Sequence, residues 1–225
     1  MAAQHLRYND RQRLKKYNLA RREYAKRWQH VDEMIRDVVV ANVGSSFWAV
    51  HTKVVLIDGI YRTQLSRSIA KRADESVLAS LMKSKPMAAI AKSAKLSRLD
   101  DTTIKSVPDS HGVLISSLKN AFDPTKEPKE LRSFASKYLQ FHAPATTPIF
   151  DNYANDAMPK YADRQPIRSR VDELAKRYPW DETIDRDYRW HALRFLALTE
   201  HLSSPGVTPT IKHVDQMLWM EVPEQ

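Results

Sequence analysis

The stretch from Arg132 to Asp151 constrains this chain more than any other. Apolar residues recur at Leu131, Phe134, Ala135, Tyr138, Leu139 and Phe141, close to the i, i+3, i+4, i+7 spacing of one helix face. The spacing predicts a buried helix, and Ser133, Ser136, Lys137 and His142 are embedded in it. Pro144 and Pro148 cannot continue that helix, because proline lacks the N–H and its ring clashes with the preceding turn. Asp151 then precedes residues 152–158, where its carboxylate can accept the free N–H groups of a first helical turn. The segment therefore reads as a helix, a short loop with two prolines, and an aspartate that caps the next helix.

The same periodicity runs through the rest of the chain, and no convincing strand survives, so an all-α fold of eight or more helices is expected. Residues 9–43 read as one long helix capped by Asn9 or Asp10, with Tyr17, Ala20, Tyr24, Ile35 and Val38 in helical period. The dense apolar run over residues 47–57 reads as a buried helix ending at Asp58-Gly59, followed by a polar loop. Helices are expected over residues 64–73, 75–85 and 87–96, with Pro86 between the last two. The polar, aperiodic residues 97–110 read as a long loop or mobile connection. Further helices are expected over residues 111–122, 168–178, 188–202 and 210–220, and Pro159 is expected to end the helix capped by Asp151.

Composition removes several function classes. With no cysteine there is no thiolate zinc site and no cysteine-ligated cluster. Four glycines in 225 residues leave no phosphate-cradling loop of the GxGxxG or Walker type. The eight histidines are scattered without HExxH or paired spacing, so neither a metal nor a cofactor is expected. No apolar run is long enough for a membrane span, and the charged start lacks a signal-peptide core, so a cytoplasmic protein is expected. The net charge of +9 points to a nucleic-acid partner. Much of it sits in the first helix, where Arg7, Arg11, Arg13, Lys15, Lys16, Arg21, Arg22, Lys26 and Arg27 face only Asp10 and Glu23. Interleaved aromatic and basic residues there can track a phosphate backbone; the plainer reading is a solvated face whose aromatics pack inward.

Chemically useful groups converge only in the opening stretch. An amine on a mostly buried helix, Lys137, needs a partner, a watery cavity or a lowered pKa, and desolvated lysines are good nucleophiles. Asp151 at a helix N-terminus is fixed in place and kept ionised by the helix dipole. The plainer alternative is a solvent-facing Lys137 and an Asp151 that only caps.

These residues resemble the helix-hairpin-helix DNA glycosylases. Members carry a hairpin of the type Leu-Pro-Gly-Val-Gly-x-Lys-Thr-Ala, then a helix and a loop ending in a small apolar pair and the catalytic aspartate. Residues 128–135 fall on the hairpin, and Pro148-Ile149-Phe150-Asp151 on the segment ending in that aspartate. Ser133 takes the place of the Schiff-base lysine of bifunctional members, eighteen positions before Asp151, and Lys137 follows one turn later. Upstream, Tyr61, Thr63 and Gln64 resemble the loop that fills the hole left by a flipped base. Lys129 and Leu131 replace the hairpin glycines, a departure that removes close backbone approach to a phosphate.

The resemblance implies an all-α fold of two helical subdomains with a cleft between them. A basic N-terminal helix would cover residues 1–44, a helical subdomain 45–125, and the catalytic and closing helices 126–225. It implies a monomeric DNA N-glycosylase that excises a modified or mismatched base from double-stranded DNA. Asp151 would be catalytic, with Ser133 and Lys137 beside it and abasic-site lyase activity if Lys137 reaches the sugar. Phe141, His142 and Phe150 would form the base pocket, with Arg132 and Asn152 contacting DNA. The alternatives are a non-catalytic nucleic-acid-binding helical protein and a helical interaction module.

Overall fold

The computed structural model describes residues 2–27, 29–41, 46–61, 85–119, 129–179, 185–203 and 207–221. Among these residues the chain is all-helical, with ten helices and no strand. They are α1 (Ala2–Arg27), α2 (Gln29–Ala41), α3 (Phe47–Tyr61), α4 (Lys85–Ser93) and α5 (Ser106–Leu118). After these come α6 (Lys129–His142), α7 (Asn152–Ala162), α8 (Ile167–Arg177), α9 (Arg186–Leu202) and α10 (Ile211–Trp219).

Two apolar clusters organise them. The first joins Tyr17 and Ala20 of α1, Val107 at the start of α5, Phe150, and the inner faces of α7, α8, α9 and α10. The second joins Ile35 and Val39 of α2, Val50, Val54 and Ile57 of α3, Ile90 of α4, Leu114 and Leu118 of α5, and the apolar residues of α6. On both sides of Trp28, which lies outside the described residues, the expected long N-terminal helix is helical, and its two halves bury their stripes in different clusters. α1 also begins at Ala2, ahead of the expected caps.

Other expectations are corrected. Pro159 does not end its helix: α7 continues to Ala162 because Tyr161 and Ala162 are buried in the first cluster. The carbonyl that loses its partner, that of Asn155, belongs to an exposed residue that water can reach. Gly59 does not end α3, which continues to Tyr61. The long loop or mobile connection expected over residues 97–110 is a loop that ends at Lys105. Asp100 Oδ1 accepts from the N–H of Thr102 at 2.9 Å and of Thr103 at 3.2 Å, which folds an Asx-type turn. Leu99 and Ile104 anchor that turn in the first cluster, and α5 starts at Ser106 with Pro108 tolerated in its first turn. The helix expected over residues 64–73, and all but the last residue of that expected over 75–85, lie outside the described residues. Pro86 does not separate two helices but sits in the first turn of α4, where its missing N–H costs nothing.

α5 and α9 hold the two clusters together. His111 of α5 stacks on Tyr188 of α9 with ring centroids 3.6 Å apart and planes 8° from parallel. Both side chains are fully buried. His111 Nε2 lies 3.3 Å from the Arg132 carbonyl, which fixes its donor nitrogen. Burial lowers the pKa of His111 to about 4, of His191 to about 4 and of His142 to about 3.

Each of these rings is neutral when folded and gains a proton near pH 6.5 when unfolded. The unfolded chain therefore binds more protons between pH 6.5 and about 4, and stability from these groups is lost as pH falls through that window. Asp215, pushed up to about 7 by burial, and Asp151, also raised, work the other way, but His213, Asp100 and Glu221 are all lowered and add to the three histidines. We expect the melting temperature to fall from pH 7 to 4. His191→Gln should flatten that slope, and a slope equal to wild type would rule this account out.

Candidate functional site

The loop between α6 and α7 is fixed residue by residue. Tyr188 OH donates to the Pro148 carbonyl at 3.1 Å, and His191 Nε2 to the Ile149 carbonyl at 2.9 Å. The Phe150 N–H donates to Ser136 Oγ at 2.9 Å. The Asp151 side chain then caps α7, its Oδ1 accepting the Ala154 N–H at 2.8 Å. Buried backbone needs such partners, and here side chains of α6 and α9 supply them. The carboxylate of Asp151 is thereby held against α6.

Opposite it stands Lys137. Its Nζ lies 3.8 Å from Asp151 Oδ2 and donates to Ser133 Oγ at 3.1 Å. Lys137 is 4% exposed and Asp151 7%, so the plain reading of a solvent-facing lysine is overturned. α6 is buried on nearly all sides, because α2, α3, α4 and α5 pack against it and the loop covers the face bearing Ser136. Burial lowers the pKa of Lys137 against the opposing pull of Asp151 and Asp215. Burial likewise raises Asp151, against Lys137 and the N–H groups of its cap. Desolvation weakens both charges, and each is held by the other.

A second carboxyl joins this cluster, and sequence reasoning did not single it out. Asp215 of α10 is 4% exposed and is pushed up to about 7 by burial, with Lys212 lowering it and Asp151 raising it. Neither Asp215 Oδ1 nor Asp151 Oδ2 has a hydrogen-bond partner among the described residues. One turn earlier on α10, Lys212 Nζ pairs with Asp32 Oδ2 at 2.9 Å, and Asp32 accepts from Tyr24 OH at 2.7 Å. The signal was present: Ile211, Val214, Asp215 and Leu218 follow the helical spacing of one buried face. Two exposed aromatic rings stand nearby. Tyr153, two residues past Asp151, meets Trp219 of α10 edge-on with centroids 5.1 Å apart.

The other expected site residues divide. Arg132 is half-buried, donating from Nε to Asp185 Oδ2 at 2.6 Å and pairing with Asp187 at 3.1 Å. With Phe150 and the exposed Asn152 it lines an open groove of about 680 Å³ whose far wall is Trp190 and Arg194 of α9. Phe141 is buried in the second cluster. His142 lies against Tyr138 at 5.1 Å, under the repulsive charge of Lys53 of α3. These two are therefore not gathered with Lys137 and Asp151. Tyr61 ends α3, and Thr63 and Gln64 lie outside the described residues, as does the segment preceding α6.

Among the described residues no helix is long and apolar enough to cross a membrane, and no group of histidines and carboxylates could hold a metal ion. No protein-family model, curated protein or solved structure matches the chain.

The two acceptors of Asp151 can be separated by mutation. Asp151→Asn and Asp151→Ala both remove the charge facing Lys137, but only asparagine keeps an oxygen for the Ala154 N–H. We expect the alanine variant to lose about 1 kcal/mol relative to asparagine, or about 3 °C in melting temperature. Equal melting temperatures would show that the cap contributes nothing.

Proposed function

We propose that this chain is a DNA N-glycosylase. One observation carries the reading: a buried amine and a buried carboxylate, Lys137 and Asp151, are held 3.8 Å apart by a loop whose backbone is fixed on both sides. The resemblance noted in the sequence places its catalytic aspartate at the same residue. In this reading the two apolar clusters stand for two helical subdomains, with Lys137 on a helix of the second and Asp151 at the head of a helix of the first.

In this reading the C1′–N bond of an extruded nucleotide breaks, and the base leaves with the bonding electrons. The carboxylate of Asp151 stabilises the cationic sugar in a site where water is scarce and its charge counts for more. Water then adds at C1′ to give an abasic site. Alternatively the Lys137 amine adds there and forms an imine, from which strand cleavage by β-elimination follows. Burial already lowers the proton affinity of that amine, as a nucleophile requires. Ser133 orients it through their hydrogen bond. Tyr153 and Trp219 offer exposed faces for stacking an extruded base, in place of Phe141 and His142. Double-stranded DNA bearing a modified or mismatched base is the proposed substrate, and unstacking the target costs a few kcal/mol.

The exposed cations Lys15, Arg21, Arg22 and Lys26 on α1 supply phosphate contacts in this reading. Replacing Arg21 and Arg22 by glutamine should weaken duplex binding and lower its salt slope by about 0.9 for each phosphate left unneutralised. A slope equal to wild type would place DNA elsewhere.

Catalysis is tested on a panel of duplexes with oxidised, alkylated and mismatched bases, reading released base by mass. Asp151→Asn, which preserves the cap, should slow release by about 100-fold or more. Release within threefold of wild type would end the catalytic assignment. Borohydride should trap wild type covalently on abasic DNA and should not trap Lys137→Met. Absence of a wild-type adduct removes the lyase step and leaves base excision standing.

A further inference from the structure

A second site lies at the far end of α7. Asp151 caps the start of this helix, whereas Lys160 and Tyr161 fall in its last turn, about 15 Å away at 1.5 Å per residue. There a cavity of about 180 Å³ is lined by Gln12, Arg13 and Lys16 of α1, Lys160 and Tyr161 of α7, Arg164, and Glu221 just past α10.

The pocket already holds one oxyanion. The Glu221 carboxylate accepts from Tyr161 OH and pairs with Lys16 and Lys160, the latter at 3.8 Å. These donors come from two different helices, so tertiary packing assembles the site. Their charge and hydrogen bonds favour the ionised carboxylate against its burial, and its pKa is lowered. The plain alternative is a solvated face with surface ion pairs, which are worth little. Two buried members argue against it. Tyr161 is 5% exposed and Arg13 7%, and Arg13 NH1 lies 3.0 Å from His201 Nε2, which orients its guanidinium. A carboxylate carries one charge and two oxygens. Arg13, Lys16, Lys160 and Arg164 present four cations around it, two of them planar guanidinium forks suited to phosphate oxygens.

We propose that this pocket binds a phosphate group, with the Glu221 carboxylate as the competing anion built into the chain. The phosphate comes either from a small free ligand or from a nucleic-acid backbone running over the basic face of α1. The proposal does not depend on the glycosylase reading.

The test uses the full chain and a Lys160→Met/Arg164→Met variant, whose altered side chains are exposed and leave the cores untouched. Inorganic phosphate and pyrophosphate are titrated at constant ionic strength while melting temperature is followed. A second arm measures duplex binding by anisotropy against salt. A free ligand predicts that phosphate or pyrophosphate raises wild-type melting by about 3 °C at tenfold above Kd, and that the double variant loses this rise. Glu221→Gln should then bind the same anion at least threefold more tightly. A backbone phosphate predicts no such rise, but a weaker duplex affinity in the double variant with a salt slope lower by about 1 to 2. An equal melting rise in wild type and double variant overturns the proposal. So does a double variant that matches wild type in duplex affinity when neither anion shifts melting.

Discussion

The site depends on how a short run of irregular chain is held. Residues 148–151 leave one helix and enter another without any ladder of their own, yet they are buried. Their backbone groups must be satisfied by side chains or the segment cannot stay dry. Tyr188 and His191 reach across from α9, and Ser136 from α6. His191 donates to Ile149 through its Nε2–H, and burial keeps the ring neutral by lowering its pKa to about 4. Tyr188 has two tasks, since its ring also stacks on His111 and joins the two clusters. The position of Asp151 is therefore a consequence of packing between α5, α6 and α9, and loop flexibility has little part in it.

Helical periodicity disclosed much of this, and it failed where a helix is buried on more than one side. The course of α6 and the cap at Asp151 followed from apolar spacing and from two prolines. The face of α6 that meets the loop did not follow. Leu131, Phe134, Ser136, Lys137, Tyr138, Gln140 and Phe141 are all buried, so spacing alone could not separate Lys137 from Phe141 or His142. Phe141 went to the second cluster and Lys137 to the carboxylate. A similar ambiguity hid Asp215, whose helical position is that of a core residue although its chemistry is not. Local rules also yielded to tertiary packing at Pro159, where burial of Tyr161 and Ala162 on the far side of the breaker carried the helix on. The apolar stripe shared by α1 and α2 was legible from spacing, but not that its two ends enter different clusters.

Burying charge beside the junction is costly unless the charges nearly balance. Lys137 and Lys212 face Asp151, Asp215 and Asp32, which is two cations against three carboxyls. With Asp215 titrating at about 7, that excess is half neutralised near physiological pH. The cluster thus rests close to neutrality, with Asp215 absorbing part of the imbalance as a proton. Such an arrangement responds to any new charge placed beside it. In the proposed reaction a cationic sugar would favour the ionised form of Asp215, which is the sense of change that lowers the energy of that intermediate. Asp32 and Tyr24 extend the same network to the basic N-terminal helices, so the surface proposed to meet phosphate and the group proposed to meet the sugar share one set of buried charges.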